Sequence, residues 1–104
     1  MLKRNITYHI SEDRLDRACY IMTTVGLGEM VKEVYGVDEK GRPFWKCVSD
    51  TGVISIYNGN RTRLITLYIA TPGQITALYG GSPPSWLMKR AKKNKTHILA
   101  QNQA

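Results

Sequence analysis

The run from Glu29 to Thr71 constrains this chain most. In it, four short stretches rich in β-branched and aromatic residues alternate with turn sequences at nearly even spacing. Glu29 to Val37 carries Val31, Tyr35 and Val37 at alternate positions, Phe44 to Val48 and Val53 to Tyr57 follow, and Arg63 to Thr71 closes the series. Between them lie Asp38-Glu39-Lys40-Gly41-Arg42-Pro43, Asp50-Thr51-Gly52 and Asn58-Gly59-Asn60. These are turn residues by chemistry, and Asn-Gly is the strongest hairpin signal because it supplies positive φ at little cost. The rhythm predicts a meander of about four antiparallel strands between residues 29 and 71. The start of the first strand stays open, since Met30, Val31 and Val34 also fit a helical turn.

Helical patterns flank the meander. Residues 4–10 alternate weakly and suit a short strand or an extended lead-in. Ser11 suits an N-cap, and Glu12 and Asp13 suit the positive end of a helix dipole. Leu15, Ala18, Cys19 and Met22 then recur at helical spacing until Gly26-Leu27-Gly28. Beyond the strands, Pro72 opens a short helix that Gly80-Gly81 stops, and Pro83-Pro84 is a rigid joint. Ser85 to Lys93 forms a last helix with Trp86, Leu87 and Ala91 on one side, and from Lys95 the chain is polar and expected to fray. Helices and antiparallel strands in separate runs define an α+β fold with an N-terminal helix, a sheet of about four strands and short C-terminal helices. The expected organisation is a single domain over residues 1–94 and a polar, flexible tail over 95–104.

A chain of 104 residues can bury a core without metals or disulfides. Cys19 and Cys47 have no C-x-x-C spacing, and with His9 and His97 they do not form a zinc motif. They are expected as buried free thiols in a reducing cytosol, with no metal and no cofactor. Met-Leu-Lys-Arg leads into polar residues rather than an apolar h-region, and no apolar run reaches the ~20 residues of a membrane span. A cytoplasmic protein without a membrane partner is expected.

Charge is distributed unevenly. Residues 1–52 hold eight Lys/Arg and eight Asp/Glu, whereas residues 53–104 hold seven Lys/Arg and no acid, so the formal charge of +7 belongs to the second half. Clustered cations of this kind bind polyanions by releasing counterions, which points to nucleic acid, with a solvated basic tail as the alternative. A membrane surface fits less well, because no Lys-rich amphipathic helix with a wide apolar face is present.

Several residues have the chemistry for a site. His9 precedes the first helix, and Arg14 and Arg17 lie i, i+3 on it. An imidazole moves a proton near neutral pH, and a guanidinium holds a phosphate through paired hydrogen bonds. On the fourth strand, alternation puts Leu64, Thr66 and Tyr68 on one face, beside a turn carrying Arg61 and Arg63, and sends Ile65, Leu67 and Ile69 to the core. Lys89, Arg90, Lys92, Lys93 and Lys95 gather near Trp86, a pairing of cations and aromatic that suits single-stranded nucleic acid. Lys46 adds a cation beside Trp45, which is expected in the core.

The order His9-Ile10, then Arg14 and Arg17 on a helix, then a strand meander ending in Leu64-Ile65-Thr66-Leu67-Tyr68, resembles the barnase/EndoU/colicin/RelE-like nuclease superfamily, particularly its phage-borne and toxin members. The likeness covers about residues 7–70 and rests on order and spacing. It implies a metal-independent ribonuclease in which the 2′-hydroxyl attacks the adjacent phosphodiester. His9 would be the base or acid, Arg14 and Arg17 would stabilise the charged phosphorane, and Thr66 and Tyr68 would position the phosphate or protonate the leaving group. RNA is the implied substrate, and an antitoxin or immunity protein a candidate partner. The second half lacks the acidic general base of barnase-like enzymes, so a non-catalytic nucleic-acid- or protein-binding module of phage or mobile-element origin is the alternative. An exposed third or fourth strand is a candidate edge for pairing with a second copy.

Overall fold

Four antiparallel strands in sequential order form the centre of the molecule. The computed structural model describes residues 12–103, with side chains from Leu15 to Gln101. In chain order the elements are α1 (Glu12–Thr24), β1 (Met30–Val37), β2 (Pro43–Ser49), β3 (Val53–Asn58), β4 (Leu64–Ile69), α2 (Pro72–Tyr79), α3 (Ser85–Lys93) and α4 (Lys95–Gln103). This is the α+β arrangement that the sequence predicts. The stretch 4–10 and the Ser11 cap fall outside the described residues.

The turns follow from backbone demands. Gly41 and Gly52 sit at φ of +78° and +85°, where a Cβ is strained. The β3–β4 turn departs from expectation, since its left-handed residue is Arg61, at φ +59°, and not Gly59. Gly59 is required for closeness instead, because a Cβ there would lie 2.5 Å from Pro43 Cγ. Asn58 holds this turn, accepting the Arg63 N–H at Oδ1 (2.9 Å) and donating Nδ2 to Thr62 Oγ1 (2.9 Å).

Both faces of the sheet are covered by helices. On the first face Val48 and Ile54 pack with Ile75 and Leu78 of α2 and with Leu87 and Ala91 of α3. On the second, Val53, Leu67 and Ile69 pack with Ile21 of α1 and Ile98 of α4. A β-bulge decides which side chains go where. Ile56 pairs with Thr66 but Tyr57 pairs with Leu64, leaving Ile65 as the extra residue. Leu64 therefore joins Leu67 on the second face rather than Thr66 and Tyr68 on the first, which corrects the shared face expected for Leu64, Thr66 and Tyr68.

Three further expectations are corrected. The buried stripe of α1 is Ala18, Ile21 and Val25, while Leu15, Cys19 and Met22 face solvent, so Cys19 is exposed and only Cys47 is a buried thiol. On α3, Leu87 and Ala91 are buried but Trp86 is 49% exposed. The residues expected to be a polar tail form α4, in which Ile98 and Gln101 are buried. Gln101 substitutes for a neighbouring strand at the outer edge of β4: Oε1 accepts the Ile69 N–H (2.9 Å) and Nε2 donates to the Ile69 carbonyl (2.7 Å). Asn94, between α3 and α4, donates Nδ2 to the Thr51 carbonyl (2.9 Å), fixing both helices to the β2–β3 turn.

Candidate nucleic-acid interface

Packing of α1 against β4 brings together two residues that are far apart in sequence. Arg17 of α1 and Tyr68 of β4 line one cleft of about 160 Å³, with Ile69, Thr71, Gln74, Ile98 and Gln101 completing its wall. The volume is well below the ~300 Å³ at which ligand pockets begin to hold whole small molecules, so the cleft suits a single group such as a phosphate. Arg17 is the only charged residue among the described residues of this lining. Neither its guanidinium nor the Tyr68 hydroxyl has an ion pair or hydrogen bond to a described residue, so both are available as donors.

Reciprocal hydrogen bonds fix the cleft floor. Thr71 caps α2 by accepting the Gln74 N–H at Oγ1 (3.1 Å), and Gln74 returns the bond by accepting the Thr71 N–H at Oε1 (2.8 Å). This uses the Gln74 carbonyl oxygen and leaves its amide nitrogen as a further donor. The start of α2 adds the positive end of a helix dipole. Burial raises the Tyr68 phenol above its ordinary range, so at neutral pH it stays protonated and able to donate. Three of the lining residues, Arg17, Tyr68 and Gln74, have side chains that can donate, which suits an anion.

A second, larger depression of about 390 Å³ lies on the first face of the sheet, beyond the end of the helical cover. Phe44, Lys46, Ile56, Asn58, Arg63 and Ile65 line it, together with Asp38, Arg42 and Pro43. The bulge turns Ile65 toward it, and the cross-strand pair Lys46 and Ile56 forms part of its wall. Arg42 is neutralised by Asp38 at 3.0 Å, and the Arg42 and Lys40 backbone N–H groups with that guanidinium hold the Asp38 carboxyl below the usual carboxylate range. Lys46 and Arg63 form no ion pair with a described residue. Two free cations beside Phe44 and Asn58 in a nucleotide-sized groove suit a segment of single-stranded nucleic acid. Groove and cleft lie along the same strand, since Ile65 and Tyr68 are three residues apart, roughly 10 Å at the strand rise of ~3.4 Å.

The remaining predicted residues are dispersed. His9 lies outside the described residues, as does the side chain of Arg14. Thr66 is on the first face opposite Ile56 and not in the lining of the Arg17–Tyr68 cleft. Arg61 is on the other side of the sheet, stacked 4.0 Å from the Trp45 ring centroid and paired with Glu33. Trp45 is half-buried, donating its indole N–H to the Gly59 carbonyl (3.0 Å) with Tyr35 edge-on at 5.1 Å. On α3, Trp86, Lys89, Arg90, Lys92 and Lys93 are all exposed, and Trp86, Lys89, Arg90 and Lys93 follow one another at i, i+3, i+4 and i+7. The cations in its last turn also complement the negative end of the helix dipole.

The sequence reading missed Thr71, Gln74 and Gln101 in the cleft and Arg42, Phe44 and Asn58 in the groove. Thr71-Pro72-Gly73-Gln74 has the spacing of a capping box, a signal that was legible; Gln101 had none, because an amide bonding a strand edge leaves no apolar pattern. No helix among the described residues is long and apolar enough to cross a membrane. No family model, no curated protein and no solved structure matches the chain.

Proposed function

We propose that this protein binds single-stranded RNA and cleaves it without a metal ion, with the Arg17–Tyr68 cleft as the site of the scissile phosphate. The observation that carries this reading is the meeting of Arg17 and Tyr68: an arginine and a protonated tyrosine from distant segments line one phosphate-sized cleft with no acid among its described lining residues. In the reaction the 2′-oxygen bonds to phosphorus as the bond from phosphorus to the 5′-oxygen breaks. A base takes the 2′-hydroxyl proton, and an acid gives one to the departing 5′-oxygen. Arg17 would neutralise the charge gathering on the non-bridging oxygens, an effect of the oxyanion-hole kind. Tyr68 would donate to the leaving oxygen or to the phosphate. His9 is proposed as the base, on the resemblance to barnase/EndoU/colicin/RelE-like nucleases. Lys46 and Arg63 would hold the flanking RNA in the sheet groove.

A non-catalytic RNA-binding module is the second reading, and one observation favours it: the described lining of the cleft contains no imidazole or carboxylate. His97 is engaged elsewhere, with Nδ1 3.1 Å from the Tyr20 hydroxyl. The two readings separate in one experiment. Purified wild type, His9→Ala, Arg17→Ala and Tyr68→Phe are incubated with single-stranded RNA in EDTA, with folding checked by circular dichroism. Cleavage by the wild type that falls ~10²-fold or more in His9→Ala and Arg17→Ala supports the nuclease. Binding without cleavage by all four establishes the module, and equal cleavage by all four sinks both assignments at this cleft.

A further inference from the structure

The sheet has two outer edges, and they are treated differently. That of β4 is closed at Ile69 by the Gln101 amide, with α1 and α4 packed against the strand. That of β1 is open. The Asp38 N–H donates to the Arg42 carbonyl at the turn (2.9 Å), and antiparallel alternation then pairs Gly36, Val34 and Lys32 with Phe44, Lys46 and Val48. The same alternation turns the N–H and C=O groups of Glu33, Tyr35 and Val37 outward, where no described residue meets them. Tyr35 and Val37 are 55% and 58% exposed. Natural proteins usually blunt such an edge with charge, proline or a cover, and among the described residues β1 has none of these at its outward positions apart from Glu33.

We propose that β1 pairs antiparallel with β1 of a second copy of this chain, about a two-fold axis through Tyr35, joining the two sheets into one. This inference does not rest on the ribonuclease reading. It corrects the expectation for the third strand, which is interior, and prefers β1 to the fourth strand, an outer edge that Gln101 engages at Ile69. The register follows by elimination. An axis at Glu33 would set that carboxylate against its own copy and draw the bulge at Val31 into the ladder. An axis at Val37 would bring the 38–41 turn into it. With the axis at Tyr35, Glu33 faces Val37 of the second copy, and every outward N–H between them meets an outward C=O. On the first face Lys32, which lies 5.5 Å from the Tyr79 ring centroid, falls opposite Asp38 of the second copy, whose carboxylate also pairs with Arg42, so the pair is of opposite charge. Val34 falls opposite Gly36 of the second copy, whose bare backbone is covered by the Phe44 ring; a Cβ on Gly36 would sit 2.6 Å from Phe44 Cζ, so that ring offers Val34 an apolar seat. Charge, shape and hydrogen bonding agree on one register, and a self-complementary patch of this kind is what a two-fold dimer requires.

The test is amide hydrogen exchange read residue by residue by NMR, with sedimentation at the same concentrations, from low micromolar to millimolar. Protection of Glu33, Tyr35 and Val37 should rise together with concentration as the mass moves from monomer to dimer. Val37→Pro removes an outward N–H without touching the β1–β2 ladder and should stay monomeric while folded. Should that variant fail to fold, Lys32→Glu decides, because it sets a carboxylate opposite Asp38 and should weaken dimerisation at least about tenfold. A chain that is monomeric at millimolar concentration with these three amides exchanging freely overturns the proposal. So does a dimer in which those amides remain unprotected.

Discussion

Gln101→Ala isolates the device that ends the sheet. Gln101 is 8% exposed and makes two hydrogen bonds, of 2.9 and 2.7 Å, to the backbone of Ile69, which has no exposed surface. Truncation leaves one buried donor and one buried acceptor unsatisfied, at about 1–3 kcal/mol each. Water reaching the strand edge recovers part of that, so the expected loss is about 2–3 kcal/mol. With a urea m-value of ~1–3 kcal/mol/M for a chain of this size, the unfolding midpoint should fall by about 1 M or more at unchanged m. Gln101→Glu should cost at least as much, because it keeps the acceptor for the Ile69 N–H but puts an oxygen against the Ile69 carbonyl. Leu99→Ala, on the exposed side of the same helix, should stay within ~0.5 kcal/mol of wild type. If Gln101→Ala also stays within ~0.5 kcal/mol, the amide is not what satisfies this edge, and the account of why a polar segment folds as α4 fails.

Other outcomes follow from the same geometry. RNA affinity should fall steeply with salt, and reversing Lys89, Arg90, Lys92 and Lys93 should weaken binding to all sequences alike and flatten the salt slope in a filter-binding titration. Burial raises both the Cys47 thiol and the Tyr68 phenol, so the folded state keeps protons that the unfolded chain has released. Their contribution to stability is full below the unfolded values of ~8.5 and ~10 and is lost as pH rises through the higher folded values; urea midpoints should fall above about pH 9, and less so in Tyr68→Phe. Gly52→Ala forces a side chain onto a φ of +85° with its Cβ 2.9 Å from Asn94 Nδ2, and should cost about 1–3 kcal/mol, less than additively with Asn94→Ala.

The strands were legible because their boundaries are written in turn chemistry. Gly41 and Gly52 mark backbone positions that few other residues tolerate, and Asn58 and Asn60 organise the last hairpin through their own side chains. Period-two reading then failed at Leu64, because an extra residue in a strand has no sequence marker of its own; only the pairing with β3 reveals Ile65 as the bulge. Helix α1 carries two apolar stripes, Leu15-Cys19-Met22 and Ala18-Ile21-Val25, and the choice between them is made by β4, not by the helix. Arg17 and Tyr68 were picked out for their chemistry, but their common cleft depends on the same helix-to-strand packing. Arg61 looked like a free cation and is engaged by Trp45 and Glu33, partners placed by the fold from positions far along the chain.

Cutting of RNA at the Arg17–Tyr68 cleft by its own 2′-hydroxyl, as proposed, leaves products that can be read directly. The most direct measurement incubates wild type and Arg17→Ala, in chelator, with a single-stranded RNA and with the same sequence carrying 2′-O-methyl groups, and analyses the products by mass spectrometry. Only wild type should cut efficiently, only the unmodified RNA should be cut, and the new ends should be a 2′,3′-cyclic phosphate and a 5′-hydroxyl. Equal cutting of both substrates, or unmodified RNA left whole by the folded wild type, would contradict it.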